Sequence, residues 1–248
     1  MPGVTAVLLS GGLDSAVLLA EEARRSAVRP VYVSVGLAWE AAEREAIALL
    51  LASPAFATSV GPLVSLAVDM TDVYPATHWA RTGRPPAYHT RDEDVYLLGR
   101  NIVLLAKAAV FCAGAGIGTL LLGTLDHNPF PDATPAFRTA MAAALSEGLA
   151  HALRIDAPYA CASKADVIRR GTAAGVPLEL TLSCMNPVRE AIESSVEAPS
   201  ARFPRHCGLC SKCRERHDAF LEAGVADPTD YLSARFVGAS ALTPSRRA

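Results

Sequence analysis

VTAVLLSGGLDSAVLLAEEARR, Val4 to Arg25, is the stretch that decides the fold. Its apolar run Val4 to Leu9 reads as a strand, and from Ala16 to Arg25 helix-forming residues place apolar side chains on one face. Between them SGGLDS, Ser10 to Ser15, carries the chain from strand to helix. Gly11 and Gly12 suit a sharp turn and a close backbone approach, and the start of a helix offers unpaired N–H groups to an anion. Ser10 and Ser15 add hydroxyl donors. Asp14 has the same sign of charge as a phosphate, so it makes sense where a Mg²⁺ bridges the two. The GKS or GKT ending of a Walker loop is absent. A helix cap with two glycines in a tight turn would account for a lone glycine pair. The whole hexapeptide, Ser10, Gly11, Gly12, Leu13, Asp14 and Ser15, placed after a first strand, favours a nucleotide phosphate cradle.

Outward from that loop the pattern repeats. VYVSV, Val31 to Val35, reads as a second strand, Trp39 to Leu51 as an amphipathic helix, and LVSLAVD, Leu63 to Asp69, as a third strand. Thr71 to Leu98 is too long and polar for an ordinary connection and is expected to cover or line a site. GRN, Gly99 to Asn101, precedes an apolar helix from Ile102 to Ala113, and TLLLG, Thr119 to Gly123, is a fourth strand. Pro135 suits the first turn of a helix running to about Gly148, ALRIDAP supplies another strand, and Lys164 to Ala174 another helix. Such alternation predicts an α/β fold, a doubly wound and mostly parallel sheet with ligands at the carboxyl ends of its strands. Asp126, His127, Asn128 and Asp132 follow the fourth strand at that edge, which makes them candidate substrate contacts. The bland alternative for these four is a satisfied loop network.

At 248 residues the chain fits one such domain with a small appendage. The expected divisions are a nucleotide-binding unit over 1–180, a cysteine-bearing knuckle and helical segment over 181–235, and a loose tail over 236–248. Lys and Arg number 23 against 25 Asp and Glu, which argues against nucleic acid as a general partner. Every apolar run stops short of the roughly 18 to 20 residues of a membrane span, and no targeting segment precedes the first strand. A cytoplasmic protein is expected.

Cys207, Cys210 and Cys213 form CxxCxxC, and Cys184 can return as a fourth thiolate. In a reducing compartment that crowding points to metal rather than disulfides, and four sulfurs make a closed, structural zinc site. An iron–sulfur cluster is the alternative, because CxxCxxC also opens ferredoxin motifs. Cys112 reads as a small core residue. Arg202, Arg205, Lys212, Arg214 and Arg216, around the knuckle, read as a solvated face.

SGGLDS resembles the signature of the PP-loop ATP pyrophosphatases, with their adenine nucleotide α-hydrolase-like fold. Together with GRN, PDATPAF (Pro131 to Phe137), SKADVIRRG (Ser163 to Gly171), TLSC (Thr181 to Cys184) and CGLCSKCRERHDAF (Cys207 to Phe220), it makes the chain resemble the 7-cyano-7-deazaguanine synthase family over nearly its whole length. DPTDY, Asp227 to Tyr231, looks like that family's terminal helix region. The resemblance implies a queuosine-pathway carbon–nitrogen ligase that uses ATP to convert 7-carboxy-7-deazaguanine and ammonia into a nitrile, through an adenylated carboxylate and an amide. AMP and pyrophosphate are the implied products. Asp14, Ser15 and Lys164 are the implied catalytic groups, with ATP and Mg²⁺ on Ser10 to Ser15 and Arg100. Phe137 would join the substrate loop, and Zn²⁺ would sit on Cys184, Cys207, Cys210 and Cys213. A homodimer is implied as well.

The chain departs from the family at VGLAWE, Val35 to Glu40, where a DYGQ-like segment is usual. That turn is expected to lack an equivalent polar group and to alter either the adenine contacts or the substrate. Trp39 would stack on a ring or pack into the core. Two other functions stay open: a PP-loop tRNA thiolation enzyme, and a non-catalytic nucleotide-binding regulator.

Overall fold

The computed structural model describes residues 3–56, 60–126, 128–188 and 203–233. The first half runs β1 (Thr5–Leu8), α1 (Leu13–Ala23), β2 (Val28–Ser34), α2 (Glu40–Ala52), β3 (Val64–Ala67), α3 (Trp79–Thr82) and α4 (Arg100–Gly114). Then follow β4 (Thr119–Leu121), α5 (Pro135–Gly148), β5 (Arg154–Asp156), α6 (Lys164–Ala173) and α7 (Ser211–Ala223). The five strands form one sheet in the order β3-β2-β1-β4-β5, and every pairing is parallel. Strand order reverses between β1 and β4, so the connections leaving their carboxyl ends diverge and open a crevice there.

Alternation along each strand assigns the two faces. Val7, Leu9 and Tyr32 pack with Leu13 and Val17 of α1, Ile47 and Leu50 of α2, Ile168 of α6 and Phe220 of α7. Ala6, Val31 and Val33 face the other way onto Leu105, Ala108 and Cys112 of α4, with Phe137 and Met141 of α5 against them. Both faces are covered, which is why the strands read as near-continuous apolar runs. Burying each of these Leu, Ile or Val side chains contributes about 1.5–3 kcal/mol. A third cluster joins Val35, Leu37, Trp39, Tyr74 and Leu97 to the four knuckle cysteines, and its β2-end residues put it at the carboxyl edge of the sheet.

Two glycines fix how closely the elements meet. Gly11 has φ +77°, and a Cβ there would lie 3.2 Å from both the Glu43 carbonyl and Ile47 of α2. A Cβ on Gly123 would lie 3.2 Å from the backbone of Asp14 and Ser15, so the end of β4 presses directly on the SGGLDS loop.

The long connection between β3 and α4 is not featureless. It holds α3, whose first turn is capped by His78 Nδ1 accepting from the Ala80 N–H, and a 3₁₀ turn at Asp92–Val95. DPTDY is not helical, contrary to expectation. Helix α7 stops at Gly224 in the left-handed conformation, and the Asp227 carboxylate accepts from the Thr229 N–H and the Tyr231 hydroxyl. Local acceptors of this kind compete with helix formation, and Pro228 removes a donor. Tyr231 instead bridges to His206. The expected tail over 236–248, together with His127 and Arg202, lies outside the described residues. Among the described residues no helix is long and apolar enough to cross a membrane.

Candidate active site and metal centre

A cavity of about 410 Å³ opens at the carboxyl edge of the sheet, and the SGGLDS loop contributes Ser10 and Gly12 to Ser15 to its wall. The loop is folded by its own hydroxyls. Ser15 Oγ donates to the Gly12 carbonyl at 2.9 Å and accepts from the Ser10 N–H at 3.3 Å, while Ser10 Oγ accepts from the Gly12 N–H at 3.3 Å. Gly12 caps α1 without a side chain, which leaves the first-turn N–H groups to a ligand. Asp14 Oδ1, Arg100 Nε and Thr124 Oγ1 are buried without a hydrogen-bond partner among the described residues. All three residues line the same cavity. Buried polar groups are rarely left unpaired, and a carboxylate oxygen and a guanidinium N–H in the wall of one cavity suit a ligand that brings a cation and an anion together.

Lys164 begins α6 directly after a capping box made by Ser163 and Asp166, which fixes where its side chain starts. Its ammonium group lies 3.4 Å from Asp14 Oδ2 and donates to Glu215 of α7. Lys212 also donates to Glu215 and faces Asp92 at 3.6 Å. Burial raises the Asp14 carboxyl despite the opposing pull of Lys164. Burial alone would lower Lys164, but Asp14 and Glu215 outweigh it and hold the ammonium form.

The turn after β2 carries a polar group after all. Glu40, the first residue of α2, reaches back so that its Oε1 accepts from the N–H of Val35 at 2.7 Å and of Gly36 at 3.0 Å, while its other oxygen accepts from Ser34 Oγ. One turn on, Glu43 accepts from the Tyr32 hydroxyl at 2.9 Å and from Trp39 Nε1 at 3.1 Å. Burial raises the Glu43 carboxyl against the opposing effect of Arg100. Trp39 is buried and lines the cavity, with its ring stacked on Trp79 at 5.8 Å. A second aromatic pair in the wall, Tyr96 and Phe130, stacks at 5.1 Å.

Of the residues read as substrate contacts, Asp126, Asn128 and Asp132 line the cavity. Asp132 is also braced, since its carboxylate accepts from the Asn101 N–H at 3.0 Å and from Asn101 Nδ2 at 3.2 Å. That bond ties GRN to PDATPAF. Asn128 Oδ1 accepts from the Phe130 N–H at 3.0 Å, so its carbonyl shapes the loop. Phe137 packs against the core beneath α5 rather than in the cavity wall. Glu43, Trp79, Asp92, Thr124, Lys212 and Glu215 line the cavity without having been singled out as site residues. The one available signal was the length and polarity of Thr71 to Leu98, which holds Trp79 and Asp92.

Cys184, Cys207, Cys210 and Cys213 are buried, and their sulfurs all lie within 4.8 Å of one another. Backbone N–H groups of Asn186 and Cys207 point at Cys184 Sγ, and that of Leu209 at Cys207 Sγ, each at 3.3 Å, as suits thiolate acceptors around a metal ion. The basic residues nearby are not a solvated face. Arg216 is fully buried, donating to Thr229, Thr181, Ser183 and the Leu178 carbonyl. Arg205 pairs with Asp230, and Arg214 donates to the Thr90 carbonyl.

The profile of the family described as "Queuosine biosynthesis protein QueC" matches residues 4–224. The chain belongs to the QueC family. Relatives named 7-cyano-7-deazaguanine synthase include one from Anaeromyxobacter dehalogenans, 35% identical, with the match covering 91% of this chain and 94% of that protein. Another from Methanopyrus kandleri is 32% identical, covering 92% of this chain and 98% of its own. A third, from an Azoarcus strain, is 34% identical over 91% and 95% of the two chains. The QueC match takes in the SGGLDS loop, the Lys164–Glu215–Lys212 group and all four clustered cysteines.

Proposed function

We propose that this chain is a 7-cyano-7-deazaguanine synthase that uses ATP to turn 7-carboxy-7-deazaguanine and ammonia into the nitrile precursor of queuosine. The observation that carries the reading is the convergence of unsatisfied Asp14 Oδ1, Arg100 Nε and Thr124 Oγ1 on one cavity beside the SGGLDS loop, in a QueC-family chain. Gly12 to Ser15 and Arg100 would receive the phosphates of ATP, and Asp14 would hold a Mg²⁺ that neutralises their charge. Lys164, kept charged between Asp14 and Glu215, would balance negative charge where the substrate carboxylate meets the α-phosphate. The enclosing loop with Trp79 and Asp92 would limit water, which protects an adenylated carboxylate from hydrolysis. Ammonia then displaces AMP to give the amide, and a second activation removes the remaining oxygen.

The cysteine cluster would hold one Zn²⁺. Tetrahedral Zn–S bonds of about 2.3 Å place sulfurs about 3.8 Å apart, and the 3.5 Å and 3.9 Å separations of Cys213 from Cys210 and Cys207 bracket that spacing. With four thiolates the ion has no open position, so its role is structural.

The test is turnover. Incubation with 7-carboxy-7-deazaguanine, ammonia and Mg-ATP is expected to yield the nitrile by mass spectrometry, and Asp14→Asn to lower that rate at least ~100-fold. Neither amide nor nitrile from the folded, metal-loaded protein would remove this substrate. An Asp14→Asn protein with unchanged turnover would remove the assigned phosphate site.

A further inference from the structure

Glu43, Tyr32, Trp39 and Trp79 make a stretch of cavity wall that the phosphate chemistry does not use. Glu43 is only 7% exposed, and Arg100 acts on it electrostatically without an ion pair between them among the described residues. Its two oxygens each accept one hydrogen bond, from the Tyr32 hydroxyl and from Trp39 Nε1. Burial works against the ionised form while the cavity is empty, and a ligand bringing N–H donors would favour it, since an ionised carboxylate has about four acceptor sites and each oxygen keeps capacity for another donor. Leaving that capacity idle in a buried site is costly, and a ligand with two adjacent N–H donors in one plane would use both oxygens at once. The Trp39–Trp79 stack, with its rings 9° from parallel, sets a flat apolar surface beside the same carboxylate.

We infer that Glu43 is a specificity-determining residue that reads the N1–H and 2-amino edge of a guanine-type ring lying against the tryptophan pair. Adenine offers one amino donor next to a ring nitrogen acceptor, and a carboxylate repels that acceptor. The same wall therefore favours the deazaguanine over the base of ATP. Tyr96 and Phe130 give the cavity a second aromatic surface, so two rings need not compete for one. The assignment rests on the preceding reading for the identity of the substrate. It also gives VGLAWE a purpose, since that segment supplies Trp39 and leads into the helix that carries Glu43.

The chain has two tryptophans, and both are in this wall, so tryptophan emission reports on it directly. Titration with 7-deazaguanine is expected to change the emission, and 7-deazahypoxanthine, which lacks the 2-amino group, to bind at least ~10-fold more weakly. Glu43→Gln should raise the Kd for 7-deazaguanine roughly 10- to 100-fold while leaving that for Mg-ATP within about threefold. Wild-type protein that binds 7-deazahypoxanthine or 7-deazaadenine as tightly as 7-deazaguanine overturns the inference, and that arm needs no variant to fold. So does a Glu43→Gln protein that weakens Mg-ATP as much as 7-deazaguanine. Because binding is read without turnover, Glu43-dependent recognition in a protein that makes no nitrile contradicts the proposed reaction alone. Nitrile synthesis with binding indifferent to Glu43 contradicts this inference alone.

Discussion

Burial alone would raise the Glu215 carboxyl, but the ammonium groups of Lys164 and Lys212 outweigh it and hold the group at about 2. Its folded value therefore lies below the ordinary 4.5. The ion pairs then contribute stability above about pH 4.5, and that contribution is lost as the pH falls toward about 2. Glu215→Gln is expected to cost about 1–3 kcal/mol at pH 7, with the gap to wild type closing below about pH 4.5 in urea unfolding curves. A gap that stays constant down to pH 3 would show that the ion pairs are not its source. At this scale the sequence was uneven in what it revealed. Asp14 and Lys164 were legible because they sit at fixed places in SGGLDS and SKADV, each at the start of a helix. Glu215 was not, because it meets Lys164 only across 51 positions of chain. Arg216 reads as a surface charge until Thr181, Ser183 and Thr229 are folded around it.

At the level of elements, the strand and helix alternation was readable because both faces of the sheet are buried and each helix has one apolar side. The boundaries that moved did so for local reasons. Helix α1 begins at Leu13 because Gly12 caps it, and DPTDY stays out of a helix because Asp227 and Pro228 reroute its hydrogen bonds. The tight fit of β4 against the SGGLDS loop was not readable, since nothing near Gly123 in sequence announces it. Gly123→Ala would place a methyl 3.2 Å from the backbone of Asp14 and Ser15. Relief of that contact must push the loop or the strand end, at a cost of about 1–3 kcal/mol. The KM for ATP is expected to rise roughly tenfold, since 1.4 kcal/mol corresponds to a factor of ten. An unchanged KM with normal stability would mean that the loop does not position ATP. The turn at VGLAWE shows the opposite limit of sequence reading, because its missing polar group is replaced by Glu40 from the next helix.

Across the whole molecule, the four cysteines join the segment at Cys184 to the knuckle that begins 23 positions later at Cys207, and α7 leads from them into the main core through Ala219 and Phe220. Arg216 on the same helix grips the Leu178–Ser183 segment, and Ser183 lines the cavity. Loss of the Zn²⁺ proposed for this cluster should therefore loosen the site as well as the knuckle. Exhaustive chelation is expected to lower Tm by roughly 10 °C or more, which corresponds to about 3–5 kcal/mol at this size, and to abolish turnover until Zn²⁺ is restored. Chelated protein with unchanged Tm and rate would mean that the cluster holds no structural ion.

The most direct test of carboxylate activation follows the oxygen atoms of the substrate. With both oxygens of the 7-carboxylate of 7-carboxy-7-deazaguanine labelled with oxygen-18, each round should transfer one label to the phosphate of AMP, leaving an unlabelled nitrile and two singly labelled AMP molecules. Labelled inorganic phosphate with ADP, or label released only into water, would contradict attack of the carboxylate on the α-phosphate.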